Sequence, residues 1–300
     1  MNYIAPESLT VGDVVYLCAP SKAIEEQYVN AAENWLSSNG LVPIRGKHLI
    51  GRHHYFSGTI NERLLDLQEG IDLPEARAIW CVRGGYGSIQ ILDGVQWAAF
   101  LQRPKWMVGF SDICVLHHKI QALGYQSIHA TMALNIEKNT TQAKTRLLEL
   151  LLGEKRSFKL NSHADNKTGV AEGVLLGGNL SIIYSLLASP ECYRFSDSIL
   201  FIEDLAEHIY HIDRMMFALS KAGALDSIKG LIIGSMTDLE DTDVPFGKSI
   251  NEVILSHFTY RNIPICFDFP VGHIDDNQAL LLGAKVCLEV NENQSVLNYQ

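Results

Sequence analysis

Several features that would define a class of function are missing from this 300-residue sequence. No apolar run approaches the roughly 20 residues that a membrane-spanning helix needs. The start of the chain has no basic region followed by an apolar core, so no signal peptide is predicted. Lysine and arginine together number 24 against 34 aspartates and glutamates, which makes the formal net charge −10. This excess of negative charge argues against a nucleic acid or an anionic membrane as the main partner.

Cysteine is scarce and scattered, with six residues, no Cys-x-x-Cys pair and no cluster with histidine. The sequence therefore predicts neither a zinc site nor a disulfide framework, and it predicts no metal and no cofactor of another kind. Most of the cysteines lie inside apolar runs, so we predict buried, reduced thiols in a cytoplasmic protein. The six residues are Cys18, Cys81, Cys114, Cys192, Cys266 and Cys287.

Short apolar runs alternate with helical patterns through the first half of the chain. Strands are predicted at 13–18, 41–44 and 76–82, with a helical pattern between each pair. Strands that alternate with helices are typical of βαβ units, so we predict an α/β fold with a parallel sheet.

A polar stretch at residues 161–167 follows a region in which the pattern weakens, and we interpret it as part of a linker between domains. The predicted N-terminal domain covers residues 1–135 and the linker covers 136–167. The predicted C-terminal domain covers residues 168–300.

One predicted strand, at 106–110, leads into a sharp turn with a serine at its apex. Gly109, Ser111 and Asp112 form this turn, and apolar residues at near-helical spacing follow it. A strand, a sharp turn and a helix can present a serine as a nucleophile, with free N–H groups at the helix start for an oxyanion. Serine and aspartate are also ordinary N-cap residues, and Ile113 stands where the nucleophile pattern has a second glycine. The turn by itself leaves both interpretations open.

A glycine-rich segment follows the predicted strand at 76–82. It reads Arg83-Gly84-Gly85-Tyr86-Gly87, which is neither a dinucleotide fingerprint nor a phosphate loop. Glycines at the end of a strand let backbone N–H groups approach a ligand, although a purely structural turn has the same composition. Arg83 and Tyr86 are candidates for recognising a carboxylate.

An acid and a histidine follow predicted strands in the second half of the chain. Glu203 ends one such run together with Asp204, and His273 follows another. Acids before a helix complement its dipole, and a single loop histidine is usually surface. Nevertheless, Ser111, Glu203 and His273 occur in one of the orders that a hydrolytic triad takes. In such a triad the histidine removes the serine proton while the carboxylate orients it.

Five blocks of sequence resemble the LD-carboxypeptidases, a family of serine peptidases. They come in the family's order and span nearly the whole chain. The blocks are 82–87, 109–112, 177–181, 200–204 with 212–215, and 272–273 with Asn277 and 282–283.

The resemblance implies an N-terminal doubly wound parallel-sheet domain and a smaller C-terminal α/β domain with a swivelling-type sheet, usually in a homodimer. It implies Ser111 as the nucleophile, His273 as the base and Glu203 as the orienting acid. The backbone N–H groups of Gly85 and Asp112 would form the oxyanion hole. The implied reaction is hydrolysis of an L,D-peptide bond, which releases D-alanine from murein tetrapeptides in peptidoglycan recycling.

Two other functions remain open. The same triad could cleave a peptidyl or aminoacyl nucleotide conjugate, as the microcin C self-immunity members of the family do. Alternatively, the chain could bind peptidoglycan fragments without cleaving them. Two positions depart from the family pattern, because Gln90 stands where arginine is usual and Ala130-Thr131 follow His129 where Gly-Pro is common. We assign no role to Gln90 or His129 from the sequence.

Overall fold

A computed structural model of the chain describes residues 2–189 and 195–300. Its strands are β1 (Val14–Cys18), β2 (Val42–Arg45), β3 (Ala76–Cys81), β4 (Trp106–Gly109), β5 (Ser127–His129), β6 (Phe158–Asn161), β7 (Gly169–Asn179), β8 (Ser198–Leu205), β9 (Gly230–Thr237), β10 (Ile265–Cys266), β11 (Leu280–Leu282), β12 (Lys285–Val290) and β13 (Gln294–Tyr299). Its α-helices are α1 (Glu26–Ser38), α2 (Ile60–Asp72), α3 (Ser88–Ile91), α4 (Ala98–Gln102), α5 (Cys114–Ala122), α6 (Thr141–Leu151), α7 (Leu180–Leu186), α8 (Ile209–Lys221) and α9 (Ile250–Ser256).

The described residues form two compact units. The first unit comprises residues 2–155 and 275–281, and the second comprises 156–274 and 282–300. A short segment from late in the sequence therefore belongs with the N-terminal residues. The region predicted as a linker contains α6 in the first unit and β6 in the second.

The first unit is built on a six-stranded sheet with the order β11-β5-β4-β3-β1-β2. The pairs β1–β2, β1–β3, β3–β4 and β4–β5 are all parallel. Every residue of β4 is buried, as expected for a strand with helices on both faces of its sheet. The predicted α/β class and the doubly wound parallel sheet are confirmed.

The strand order of the first unit has a functional consequence. Because β1 lies between β2 and β3, the connections after β1 and β3 diverge at the carboxyl ends of these two strands. In open α/β sheets, this divergence creates the crevice in which ligands bind. The loops that follow β1 and β3 are therefore the first places to search for a site.

The second unit contains a mixed seven-stranded sheet with the order β10-β9-β8-β7-β12-β13-β6. Strands β7 to β10 pair in parallel, whereas β12 pairs antiparallel with both β7 and β13. Strand β8 is almost entirely buried and carries Glu203 and Asp204 near its carboxyl end. The predicted second α/β domain is confirmed.

Local sequence signals explain where two of the helices begin. A capping box joins Thr59 to Glu62 at the start of α2, and a second joins Ser249 to Glu252 at the start of α9. In each box the hydroxyl and the carboxylate accept hydrogen bonds from backbone N–H groups that the helix leaves unpaired.

Among the described residues, the cysteines follow the sequence prediction with one exception. Cys18, Cys81, Cys114 and Cys266 are buried and reduced. The prediction of burial is wrong for Cys287, which is only half-buried, because side chains alternate along β12 and this residue lies on the less buried face. Cys192 lies outside the described residues. Within residues 2–189 and 195–300, no helix has the length and apolar character needed to cross a membrane.

Candidate active site

Ser111 lies at the apex of a strained turn in the first unit. Its φ is +62°, in the left-handed region, and it starts a short 3₁₀ turn that leads from β4 into α5. This backbone conformation costs a residue other than glycine roughly 1–2 kcal/mol. Such strain is characteristic of functional sites, where the surrounding structure maintains it. The turn therefore has the conformation of a nucleophile elbow, which an N-cap does not require.

The glycines around this turn leave space that a side chain would fill. A Cβ atom built on Gly109 would lie 2.9 Å from Cγ2 of Ile113, so the turn cannot accommodate even alanine without a shift. A Cβ atom built on Gly84 would lie 3.2 Å from Oγ of Ser111 and 3.3 Å from the amide nitrogen of Asp112. The serine hydroxyl and this amide thus border the same gap, as an oxyanion hole requires.

Glu203 and His273 form a hydrogen-bonded pair in the second unit. The Nδ1 atom of His273 lies 2.7 Å from Oε2 of Glu203, and the glutamate side chain is fully buried. Since a carboxylate only accepts hydrogen bonds, Nδ1 carries the hydrogen, and Nε2 of the neutral ring carries the lone pair that can act as a base. The backbone N–H of His273 donates to Oγ of Ser235 at 2.8 Å, which fixes the position of the loop.

The electrostatic surroundings of His273 favour its protonated form. Burial lowers the pKa of His273, but the charge and hydrogen bond of Glu203, together with the charges of Asp204 and Asp238, raise it further than burial lowers it. The net result is a pKa above the usual 6.5. A histidine in this setting is a stronger base than a free imidazole, and its imidazolium is stabilised.

Both halves of the chain match domains of a known family. Residues 15–130 match the LD-carboxypeptidase N-terminal domain, and residues 172–288 match the LD-carboxypeptidase C-terminal domain. The chain belongs to the LD-carboxypeptidase family. It is accordingly a hydrolase, a carboxypeptidase of the serine type.

Individual relatives are similar over almost their entire lengths. The chain is 30% identical to a probable murein peptide carboxypeptidase of Bacillus subtilis, covering 99% of this chain and 95% of the relative. It is 29% identical to the murein tetrapeptide carboxypeptidase of Pseudomonas aeruginosa, covering 92% and 93%. The crystal structure of muramoyltetrapeptide carboxypeptidase from Oxalobacter formigenes superposes with a TM-score of 0.87 at 24% identity, covering 95% and 98%, and supports the fold.

In this LD-carboxypeptidase, two glycines make room for the buried acid. A Cβ atom built on Gly234 would lie 3.1 Å from Cβ of Glu203, and one built on Gly272 would lie 2.9 Å from its Oε2 atom. Gly272 also has a φ of +119°, which disfavours any other residue. Both glycines therefore allow the carboxylate to reach His273.

Asp204, the second acid of the predicted pair, has a different role from Glu203. Its carboxylate accepts hydrogen bonds of 2.9 Å from Nδ2 of Asn179 and from both the backbone N–H and the hydroxyl of Ser181. Burial and the charge of Glu203 raise the pKa of Asp204 to about 6. Asp204 therefore anchors the start of α7.

Asp112 is tied into the first unit in a similar way. Its buried Oδ2 atom accepts a hydrogen bond of 2.5 Å from the hydroxyl of Ser21 and one of 2.8 Å from the backbone N–H of Ser88. The hydroxyls of Ser21 and Ser88 are 2.8 Å apart. Asp112 thus links the loop after β1 and the loop after β3 to the nucleophile turn. Ser21 and Ser88 were not among the sequence-predicted site residues.

Gln90, one of the positions that depart from the family pattern, contacts a buried arginine. Arg63 donates hydrogen bonds to the carbonyl oxygens of Pro20 at 2.8 Å and Gly87 at 2.9 Å, and to Oε1 of Gln90 at 2.7 Å. Gln90 therefore supports the glycine-rich loop through Arg63. Arg63 itself was not identified from the sequence.

Two buried histidines, His117 and His129, contact residues of β4 and of the turn that contains Ser111. His129 is buried, and its ring packs 5.8 Å from that of Phe110 and 6.2 Å from that of His117, measured between centroids. Nε2 of His117 donates to the carbonyl oxygen of Gly109 at 2.9 Å, while Nδ1 lies 2.9 Å from the hydroxyl of Ser127. Burial lowers the pKa of His117 to about 4, so this ring is neutral near pH 7. Its hydrogen bond to Gly109 supports the turn that contains Ser111.

The two residues predicted to recognise a carboxylate have different environments. Arg83 is half-buried, and its Nη1 atom donates to the carbonyl oxygen of Ala23 at 2.6 Å. Tyr86 is 51% exposed, and its ring centroid lies 6.3 Å from that of Phe56. Both follow β3, next to Gly84 and the nucleophile turn.

Proposed function

We propose that this enzyme hydrolyses an L,D-peptide bond and releases the terminal D-alanine of murein tetrapeptides. The left-handed backbone of Ser111 is the observation that carries this proposal, because it presents a serine as a nucleophile. The similarity to murein peptide carboxypeptidases supports the choice of substrate. We further propose that the enzyme is a cytoplasmic homodimer and that it acts in peptidoglycan recycling.

The proposed catalytic group is a triad of Ser111, His273 and Glu203. Oγ of Ser111 attacks the carbonyl carbon of the scissile bond while Nε2 of His273 accepts the hydroxyl proton. Glu203 stabilises the imidazolium that forms, through its hydrogen bond to Nδ1. The backbone N–H groups of Gly85 and Asp112 donate to the oxyanion of the tetrahedral intermediate.

The second half of the proposed reaction regenerates the enzyme. The C–N bond breaks as His273 returns its proton to the leaving amine, which departs as the free D-amino acid. Water then attacks the ester carbonyl of the acyl-enzyme, and His273 accepts one of its protons. Collapse of this second intermediate releases the shortened peptide as a carboxylic acid and restores the Ser111 hydroxyl.

Selectivity for a chain terminus requires a group that recognises the free carboxylate. Arg83 supplies a guanidinium that can bind a carboxylate in a bidentate manner, and Tyr86 supplies a phenol. Both side chains belong to the same loop as Gly85, whose amide is the proposed oxyanion donor. In this proposal, the terminal carboxylate and the scissile carbonyl bind to one segment of the backbone.

One experiment distinguishes this proposal from the other two functions. The purified enzyme is incubated with murein tetrapeptide, or with an aminoacyl-sulfamoyl nucleotide, and the released D-alanine or nucleotide is quantified. A serine-reactive phosphonate then tests labelling of Ser111. The proposal predicts D-alanine release and labelling at Ser111. Release of nucleotide alone would identify a conjugate hydrolase, and binding without turnover or labelling would identify a binding protein.

A further inference from the structure

Lys22 lies in the crevice that the strand order of the first unit creates. It belongs to the loop after β1, whereas Gly84 and Gly85 belong to the loop after β3. The backbone N–H of Lys22 donates to the carbonyl oxygen of Gly84 at 3.3 Å and so joins the two loops. Gly84 is the residue whose missing side chain leaves room beside the Ser111 hydroxyl. Lys22 is therefore hydrogen-bonded to a residue, Gly84, that borders the proposed nucleophile Ser111.

The side chain of Lys22 runs along Gly85. A Cβ atom built on Gly85 would lie 3.0 Å from Cβ of Lys22, 3.3 Å from its Cδ, and 2.8 Å from the hydroxyl of Tyr55. The ammonium nitrogen of Lys22 lies 4.7 Å from the centroid of the Tyr55 ring. The contact with the ring face holds the ammonium in place, and the phenol hydroxyl lies on the same side of the loop.

Lys22 has no acidic partner among the described residues of the first unit. Within residues 2–155 and 275–281, neither Lys22 nor Arg83 has a carboxylate within 4.0 Å. Elsewhere in the same unit, Arg45 pairs with Glu33 at 2.6 Å and Arg77 pairs with Glu7 at 2.5 Å. In a chain with a formal net charge of −10, two uncompensated cations beside the nucleophile turn indicate a site for an anion.

We propose that the Lys22 ammonium, together with the Tyr55 hydroxyl, binds the terminal carboxylate of the peptide substrate. This inference rests on the proposed function. It makes Lys22 a second cationic side chain, besides Arg83, that binds the substrate carboxylate. In a peptide that loses its last residue, only the nitrogen and α-carbon of that residue separate its carboxylate from the scissile carbonyl. A carboxylate contact must therefore lie within a few ångströms of the oxyanion hole, and Lys22 contacts Gly85, the proposed oxyanion donor. Lys22 would thus determine specificity for a free terminus.

Binding measurements on a Ser111→Ala background test this inference without turnover. Titration calorimetry compares a murein tetrapeptide that has a free D-alanine carboxylate with the same peptide as its C-terminal amide. We expect the parent protein, which carries only Ser111→Ala, to bind the free-carboxylate peptide (the acid) more tightly than the amide. Adding Lys22→Met should weaken binding of the acid roughly 10-fold or more, the scale of a lost charge-assisted hydrogen bond. Binding of the amide should change less than about two-fold. Lys22→Arg should recover most of the preference, and Tyr55→Phe should reduce it partially.

The control is Lys47→Met, which removes an exposed lysine of the same unit and should leave both affinities unchanged. The inference is overturned if Lys22→Met keeps the parent's preference for the acid, if it weakens both peptides equally, or if the parent binds both equally or neither. Wild-type enzyme is assayed in parallel for D-alanine release. Absence of release would contradict the proposed function, whereas the acid-to-amide binding ratio decides the role of Lys22 independently.

Discussion

Nδ1 of His273 lies 2.7 Å from Oε2 of Glu203, and this carboxylate is buried beside a second acid, Asp204. The hydrogen bond determines which ring nitrogen carries the basic lone pair, and the negative charges determine how strongly that nitrogen binds a proton. The chemistry expected of Ser111 depends on both properties.

The pH dependence of the reaction should report the pKa of His273. We expect kcat/KM to rise with pH as His273 loses its proton, with a midpoint above 6.5, because nearby carboxylates raise this pKa in the folded enzyme. Glu203→Gln removes the largest of these charges, so the midpoint should move to lower pH while the maximal rate falls. The measurement is a pH profile of D-alanine release. Glu207→Gln is the control, because Glu207 pairs with His211 at 2.6 Å, and an equal shift in this variant would contradict the assignment.

Removal of the nucleophile should abolish turnover without loss of the fold. Ser111→Ala is expected to lower kcat by roughly 10⁴-fold or more, because alanine has no hydroxyl from which His273 could remove a proton. Steady-state assays measure the rate, and circular dichroism checks the fold. Ser37→Ala, on an exposed position of α1, should be fully active. Near-normal turnover of Ser111→Ala would exclude Ser111 as the nucleophile.

Backbone strain at the nucleophile turn should be measurable as stability. Glycine adopts a φ of +62° without the steric cost that alanine bears, so Ser111→Gly should be more stable than Ser111→Ala by about 0.5–1 kcal/mol. Urea unfolding of the two inactive variants measures the difference. Equal free energies of unfolding would show that the turn is not strained.

The gap beside Ser111 should tolerate no additional carbon. Gly84→Ala would place a methyl group 3.2 Å from Oγ of Ser111 and 3.3 Å from the amide nitrogen of Asp112, where the oxyanion would form. We expect kcat/KM to fall roughly 10²-fold, the effect of losing one oxyanion donor. Thermal unfolding should show that the fold persists. Full activity with an intact fold would place the oxyanion elsewhere.

Loss of the Asp112 carboxylate should destabilise the first unit. Asp112→Ala leaves the hydroxyl of Ser21 and the backbone N–H of Ser88 without their acceptor in a buried site, at a cost of about 2–4 kcal/mol. Asp112→Asn keeps one acceptor oxygen and should cost less. Denaturant unfolding measures both variants, with Asp93→Ala at an exposed position as the control. If Asp112→Ala is no less stable than that control, the network has no structural role.

Much of the architecture could be predicted because its signals are local. The alternation of apolar strands with helical patterns indicates βαβ units, and β1, β3 and β4 lie within a residue or so of their predicted positions. The boundaries were less accurate, since β2 runs from Val42 to Arg45 where the prediction covered 41–44, and β3 ends at Cys81, one residue before the predicted end at 82. Loop contacts and sheet pairing extend or shorten elements in ways that a short window of sequence does not contain.

The sequence by itself determined the α/β class, the family and the order of Ser111, Glu203 and His273, because these depend on residue types and their order along the chain. Only the tertiary structure showed that the backbone of Ser111 is left-handed, which an N-cap does not require, since the sign of φ depends on what surrounds the residue. It also separated the roles of Glu203 and Asp204, neighbours in sequence whose side chains reach different partners. The link from Asp112 to Ser21 joins residues 91 positions apart, and the position of Lys22 beside Gly85 likewise arises only when two strands of one sheet bring their loops together.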